Sequence, residues 1–144
     1  MEPDLNDREY MISEKVSYYS HSPKRGDIIV FTRNDRPKNE FIDRIVGLPG
    51  EYISIRNNHV YINNKILDEP YIDSKIVTKA GTYIGESNIF IPENSYAVLG
   101  DNREHSDDSR FYGFIEKSTI TGKASYIYWP SDKKGFIKNP LSSF

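Results

Sequence analysis

The 144-residue chain contains no cysteine. It therefore has no disulfide framework, no thiolate metal site and no cysteine nucleophile. It also lacks any apolar run approaching the ~18 residues that a membrane-spanning helix requires, and its first residues show no signal-peptide pattern. As written, the chain is expected to be soluble.

Neither sign of charge dominates the sequence. The 19 Lys and Arg residues and the 21 Asp and Glu residues are interspersed and leave a net charge of −2. Nucleic-acid-binding domains usually concentrate basic residues on one face, so no nucleic-acid partner is expected. The three histidines, His21, His59 and His105, are too widely separated to suggest a metal site. No cofactor is expected either.

Helical periodicity is scarce, and short apolar runs take its place. Residues 28–31 read Ile-Ile-Val-Phe, a β-branched and aromatic run that suits a strand covered on both faces. Asn57-Asn58 and Asn63-Asn64 are typical of hairpin turns, because Asn tolerates the left-handed backbone that such turns need. These features predict a mostly β fold, an antiparallel β-sheet domain with a smaller β subdomain inserted.

The expected boundaries follow from these runs. The β domain is predicted over residues 1–130, with the insert at roughly 57–98 and a polar C-terminal tail at 131–144. Charged residues 32–39 are predicted to form a surface loop, and residues 76–84 could hold a strand. A final strand is predicted over residues 120–129, with Gly122 as the site of a bulge.

Residues 100–113 form the chain's densest group of opposed charges, G-D-N-R-E-H-S-D-D-S-R-F-Y-G. Such a loop can be buried only if nearly every donor and acceptor is paired. Arg103 and Arg110 supply planar forks of donors that suit carboxylates. The expected partners are the aspartates of the same loop, Asp101, Asp107 and Asp108. We therefore expect the loop to be clamped onto the body of the domain.

Four blocks of the sequence together resemble bacterial type I signal peptidase. They are M-E-P-D-L from Met1, R-G-D-I-I-V-F from Arg25, R-I-V-G-L-P-G from Arg44, and the charged loop from Gly100. The resemblance extends over nearly the whole chain, to about Pro130. It implies a membrane-tethered serine endopeptidase on the outer face of the bacterial cytoplasmic membrane, which removes the signal peptides of exported preproteins with a Ser–Lys dyad.

The same resemblance implies that both members of the dyad are missing. The family's nucleophilic serine immediately precedes the methionine of the first block, so its position lies before Met1; Pro3 of this motif is retained, whereas its threonine is Asp4. The general-base lysine directly precedes Arg44, where this chain has Asp43. An amine base accepts the serine proton only when desolvation holds it neutral. A carboxyl at that position is shorter and does not carry over the mechanism, so we expect an inactive homologue.

The resemblance also assigns supporting roles near this position. Ser106 matches the hydroxyl that hydrogen-bonds the catalytic lysine, and with Asp43 opposite it could instead donate to a carboxylate. The remaining matches are structural residues at the site: Met1, Pro3, Arg44, Asp101, Asp108 and Arg110. Asp108 and Arg110 match a pair that holds the site in place.

Alternative explanations stay open on the sequence alone. The chain could be an active signal peptidase I whose anchor and serine are missing from this polypeptide, or a homologue that has lost catalysis and keeps peptide binding. Asp4 and Asp43 could also lie close together as a carboxylate pair. An aspartic dyad needs two carboxylates that share one proton in a prepared site, and no other residue supports one.

Overall fold

The structure, a computed structural model, describes residues 10–14, 18, 21–129 and 135–141. For residues 10–14 and 126–129 it describes the backbone alone. Its strands are β1 (Tyr10–Glu14), β2 (Ile28–Arg33), β3 (Arg36–Gly47), β4 (Tyr52–Arg56), β5 (His59–Ile62), β6 (Lys65–Ile66), β7 (Ile89–Phe90), β8 (Ser95–Leu99), β9 (Ile115–Glu116), β10 (Ile120–Trp129) and β11 (Gly135–Phe136). The helical segments are short: α1 (Ser109–Tyr112) and 3₁₀ turns at Arg103–His105 and Lys117–Thr119. The predicted mostly β fold is confirmed.

The strands form two antiparallel sheets. The larger sheet has the order β1-β10-β2-β3-β8-β9, with β11 paired to β10. The smaller sheet has the order β6-β5-β4-β7. Because side chains alternate along a strand, Tyr96 and Val98 of β8 pack on one side of the larger sheet, while Ala97 and Leu99 pack on the other. The second side shares its core with the smaller sheet, so β8 and the last five residues of β3 are buried on both faces.

The smaller sheet and the expected insert overlap without coinciding. The sheet begins with β4 at Tyr52, before residue 57, and ends with β7 at Phe90. Strand β8 lies inside the range 57–98 but pairs with β3 in the larger sheet. The strands of the smaller sheet therefore lie between residues 52 and 90, and the division into a domain and an insert stays a prediction.

The described part of the predicted tail, residues 135–141, lies against the body. The Asn139 amide donates 2.9 Å hydrogen bonds to the Arg25 carbonyl and to Asp27 Oδ1. Leu141 is buried in the core shared by the two sheets. This segment is anchored by one amide and one apolar side chain, which a polar composition does not reveal.

The predicted loop at residues 32–39 is wrong. Strand β2 continues to Arg33 and β3 begins at Arg36, so these residues form the end of a hairpin. Ladder pairing extends past the buried part of the two strands, and the polar side chains there remain in solvent. Hydrophobicity therefore marks the buried section of the hairpin and misses its outer end.

The possible strand at residues 76–84 is also wrong, because this segment bonds to loops and turns. Thr78 N donates to the Asn58 carbonyl, Gly81 N to the Ile84 carbonyl and Tyr83 N to the Arg110 carbonyl. The turn predictions are confirmed: φ is 49° and 64° at Asn57-Asn58 and 50° and 65° at Asn63-Asn64. The register of β10 shifts between Ile120 and Gly122, where the bulge was predicted.

Gly47 ends β3 where the two sheets share their core. A Cβ at this position would lie 2.5 Å from Ile91 Cδ1 and 3.0 Å from Ala97 Cβ. Gly47→Ala is therefore expected to destabilise the domain by about 1–3 kcal/mol through overpacking. Gly85→Ala is the control, because a Cβ there meets nothing within 4 Å. Urea denaturation measures both variants, and equal midpoints would contradict this packing.

Candidate functional site

The charged loop is fixed to the larger sheet by a buried ion pair. Arg44 of β3 meets Asp101 with two parallel hydrogen bonds, Nε to Oδ1 at 2.9 Å and Nη2 to Oδ2 at 2.7 Å. Both side chains are fully buried. The Arg44 guanidinium also lies 4.1 Å from the Tyr71 ring centre and donates to the Gly26 carbonyl. This bidentate geometry sets the direction in which the loop leaves β8.

A second buried pair closes the loop. Arg110 Nε and Nη2 each lie 2.8 Å from an oxygen of Asp108. Asp108 also caps α1 by accepting from Arg110 N, and it accepts from Gly100 N at 3.2 Å. Asp108 therefore joins the two ends of the loop, and the ion pair predicted between these residues is present.

Arg103 was expected to bind an aspartate of its own loop, and this prediction is wrong. Its guanidinium binds the Glu69 carboxylate and donates to the Thr78 hydroxyl at 2.6 Å. Both partners belong to the segment between β6 and β7. Asp101 is already held by Arg44 and Asp108 by Arg110, so Arg103 takes a carboxylate from outside the loop. Sequence proximity could not reveal this partner.

Asp107 instead pairs with Arg33, at the outer end of the β2–β3 hairpin. Arg33 Nη1 lies 3.0 Å from Asp107 Oδ2, and the guanidinium carbon lies 3.9 Å from the centre of the Tyr112 ring. This arginine therefore holds the hairpin against the loop and packs on the aromatic ring that approaches Asp43.

Asp43 is the carboxyl group of the site that lacks an arginine partner among the described residues. It lies on β3 and is 7% exposed. The Tyr112 hydroxyl donates to Asp43 Oδ2 at 3.3 Å. Burial, followed by the negative charges of Asp108 and Asp101, raises the pKa of Asp43 well above its usual value, while the Tyr112 hydrogen bond and the positive amino terminus oppose the shift.

Asp43 and Ser106 face a common small pocket. The cavity measures about 270 Å³ and is lined by Phe41, Ile42, Asp43, Gly100, Asn102, His105, Ser106 and Asp107. A Cβ on Gly100 would lie 2.2 Å from Ser106 Oγ and 3.2 Å from Asp43 Oδ1. Only glycine fits here, because the Ser106 side chain packs directly against the Cα of Gly100. Among the described residues, no lysine or arginine lines it.

The structure brings together most of the residues predicted for the site. Asp43 and Ser106 line the pocket, with the two aspartate–arginine pairs beside it. Met1, Pro3 and Asp4 lie outside the described residues, so the predicted carboxylate pair of Asp4 and Asp43 stays a prediction, as do the roles given to Met1 and Pro3. Sequence reasoning missed Tyr112 as the hydrogen-bond donor to Asp43. The aromatic pair at the end of the loop was visible, but its target 69 positions away was not.

The described residues include no helix that is long and apolar enough to cross a membrane. They also contain no group of three or more His, Cys, Asp or Glu side chains arranged to hold a metal ion.

Comparison with known proteins gives consistent matches. The family described as "Signal peptidase, peptidase S26" matches residues 1–129. The chain is 37% identical over 142 residues to a probable signal peptidase I-2 of Synechocystis, and 34% identical over 153 residues to signal peptidase IB of Staphylococcus aureus MRSA252. A crystal structure of a signal peptidase I from Enterococcus faecalis matches with a TM-score of 0.61 and 34% identity.

These matches cover most of the chain but less of the relatives. The alignments cover 95% of this chain and 62% of the Synechocystis protein, and 97% of this chain and 78% of the staphylococcal one. The structural match covers 73% of this chain and 98% of the enterococcal chain.

The Asp108–Arg110 pair generates a stability prediction. Arg110→Ala leaves the Asp108 carboxylate buried without its guanidinium, and it is expected to destabilise the domain by about 2–4 kcal/mol. Arg36→Ala, which removes an exposed arginine at the start of β3, serves as the control. Chemical denaturation distinguishes the two variants. A midpoint unchanged in Arg110→Ala would mean that solvent replaces the guanidinium.

Asp43 generates a prediction about pH. Its folded pKa is raised above the unfolded value, so the folded state binds more protons between the two values. The stability of the unmodified protein should therefore fall as the pH rises through this window. Asp43→Asn removes the titration, so its stability relative to the unmodified protein should increase over the same rise in pH. Denaturation at a series of pH values measures this, with exposed Asp68→Asn as the control; parallel pH profiles for the unmodified protein and Asp43→Asn would refute it.

Proposed function

Because the chain belongs to the signal peptidase family, peptidase S26, we propose that it is a non-catalytic member that binds an extended peptide without cleaving it. The peptides it would bind are the signal peptides of exported preproteins. Its place would be the extracytoplasmic face of the bacterial cytoplasmic membrane, in association with that membrane.

The observation that carries this proposal is the buried Asp43 at the position of the general-base lysine. A base for serine must be unprotonated and able to reach the hydroxyl. Burial and the two neighbouring carboxylates favour the protonated form of Asp43, and Tyr112 occupies one of its oxygens. Among the described residues that line the pocket, no lysine is present to replace that base. Ser106 then has a carboxyl group where the family's serine hydrogen-bonds an amine.

Peptide binding does not depend on the lost dyad. An extended peptide can add to a sheet edge through backbone hydrogen bonds alone. Strand β2 pairs with β3 between Arg36 and Arg44, whereas β8 pairs only with Arg44, Ile45 and Gly47. Among the described residues, the outer part of β3 therefore has a strand on one side only. This open edge ends at Asp43, beside the pocket, and supports peptide addition at this point.

The alternative is an active signal peptidase I whose anchor and serine lie outside this chain. The two functions are separated by a cleavage assay with a signal-peptide substrate in detergent, from mildly acidic to strongly basic pH. We expect no cleavage, together with binding of the same labelled peptide. Cleavage that is abolished by Asp43→Asn would contradict the proposal and indicate a carboxylate mechanism.

A repair experiment tests the reason for inactivity. A serine added before Met1, combined with Asp4→Thr and Asp43→Lys, is expected to restore measurable turnover. Either half of the repair alone should fail, because the nucleophile and the base act as a unit. The matched control keeps the serine and Asp4→Thr but places the lysine at the exposed Asp68. Turnover in this control, or with the serine alone, would show that position 43 is not the lesion.

A further inference from the structure

The pocket beside Asp43 has an unusual charge balance for a partly buried cavity. It presents the Asp43 carboxyl, the Ser106 hydroxyl and the Asp107 carboxylate, next to the apolar side chains of Phe41 and Ile42. Asp107 already pairs with Arg33, outside the pocket lining. His105 lies at the side of the pocket formed by the charged loop, and no lysine or arginine of the described residues lines the cavity.

Asp43 is the under-bonded group in this cavity. Within the described residues, its one hydrogen-bond donor is the Tyr112 hydroxyl, which reaches Oδ2. Its Oδ1 lies near Gly100, against which the Ser106 side chain packs, and all three residues line the same cavity. A buried carboxylate requires a counter-charge or several donors. The neighbouring Asp101 and Asp108 have arginines bound at both oxygens, and Asp43 has none.

We propose that this pocket binds a primary ammonium group, with the ammonium at Asp43 Oδ1 and Ser106 Oγ and its alkyl chain along Phe41, which lies on the same face of β3 as Asp43. An ammonium is a compact point charge with three donors, which suits one carboxylate oxygen and a hydroxyl. A guanidinium gains most from a carboxylate with both oxygens available, and Tyr112 already occupies one oxygen of Asp43. The ammonium-binding proposal rests on the proposed peptide function only if the ammonium belongs to a lysine side chain of the bound peptide.

Binding of an ammonium should be coupled to release of the Asp43 proton. The carboxyl must ionise to pair with the cation, so affinity should rise with pH through the raised pKa of Asp43 and level off above it. The charged and ionisable groups around Asp43 are Asp101, Asp108, Tyr112, His105, Asp107 and the positive amino terminus, which lowers the pKa of Asp43. Asp101 and Asp108 are held in ion pairs with arginines, so Asp43 is the carboxyl whose ionisation the binding of a cation requires.

The first experiment titrates the chain with n-butylamine at about pH 5 to 9, where the amine is protonated, with n-butanol as the uncharged match. We expect saturable shifts of the Gly100 and Ser106 amide resonances with the amine alone, and an affinity that increases with pH. Calorimetry in two buffers of different ionisation enthalpy should detect proton release. The inference is overturned if no saturable binding occurs at the upper end of this range, or if butanol binds equally.

Variants locate the ammonium. Asp43→Asn keeps the shape and should weaken butylammonium binding at least about tenfold, as loss of a charged hydrogen-bond partner implies. Ser106→Ala is expected to weaken binding to a smaller degree and provides a second variant if Asp43→Asn does not fold. Asp68→Asn makes the same charge change on an exposed residue and should leave the affinity unchanged. Equal affinities in the first two variants and the unmodified protein would overturn the inference.

A peptide experiment distinguishes the two sources of the ammonium. Extended peptides with one lysine, or with norleucine in its place, differ in the cation but not in the alkyl chain. Tighter binding of the lysine peptide, lost in Asp43→Asn, assigns the pocket to a peptide side chain. Butylammonium binding without a lysine preference assigns it to a free amine. Failure of both ligands overturns the inference, whereas failure of the proposed function appears separately, as signal-peptide cleavage by the unmodified chain.

Discussion

The buried pair of Arg44 and Asp101 is the interaction on which the geometry of the site depends. Arg44 lies on β3 and Asp101 directly follows β8, so the pair joins two neighbouring strands to the start of the charged loop. Consecutive side chains of a strand point to opposite faces. With Arg44 directed into the interior against Tyr71, Asp43 is turned towards the other side, where the Tyr112 hydroxyl and the pocket lie.

Three carboxylates in this region are each paired with one arginine. Asp101 and Asp108 each receive a bidentate arginine, and Glu69 receives Arg103. Such pairs recover the desolvation cost of each ion only when the geometry is good and the remaining donors are used. Asp43 stands apart, because a neutral tyrosine hydroxyl is its donor in the described structure. Protonation or an incoming cation are the two ways in which this group avoids an uncompensated charge.

The scaffold and the catalytic groups of this family have separate physical requirements. The arginine–aspartate pairs and the core shared by the two sheets hold the loop beside β3. None of these contacts uses the side chain at position 43. An aspartate can therefore occupy that position without disturbing them. The open edge of β3 likewise depends on backbone groups. A fold can therefore keep a peptide-binding surface after its chemistry is lost, which is the physical basis of the proposed function.

The sequence by itself determined the strand-rich fold, the asparagine turns and the clamped charged loop, because these depend on local periodicity, on tolerance of positive φ and on the need to pair buried charges. It also placed Asp43 and Ser106 at one site through the family resemblance. Only the tertiary structure decided the partners of Arg103, the extension of β3 back to Arg36 and the contact of Tyr112 with Asp43. These depend on which segments meet in space: Glu69 is 34 positions from Arg103, and Tyr112 is 69 positions from Asp43. The sequence shows that a buried charged side chain needs a partner of opposite charge. Which residue that partner is depends on how the chain packs.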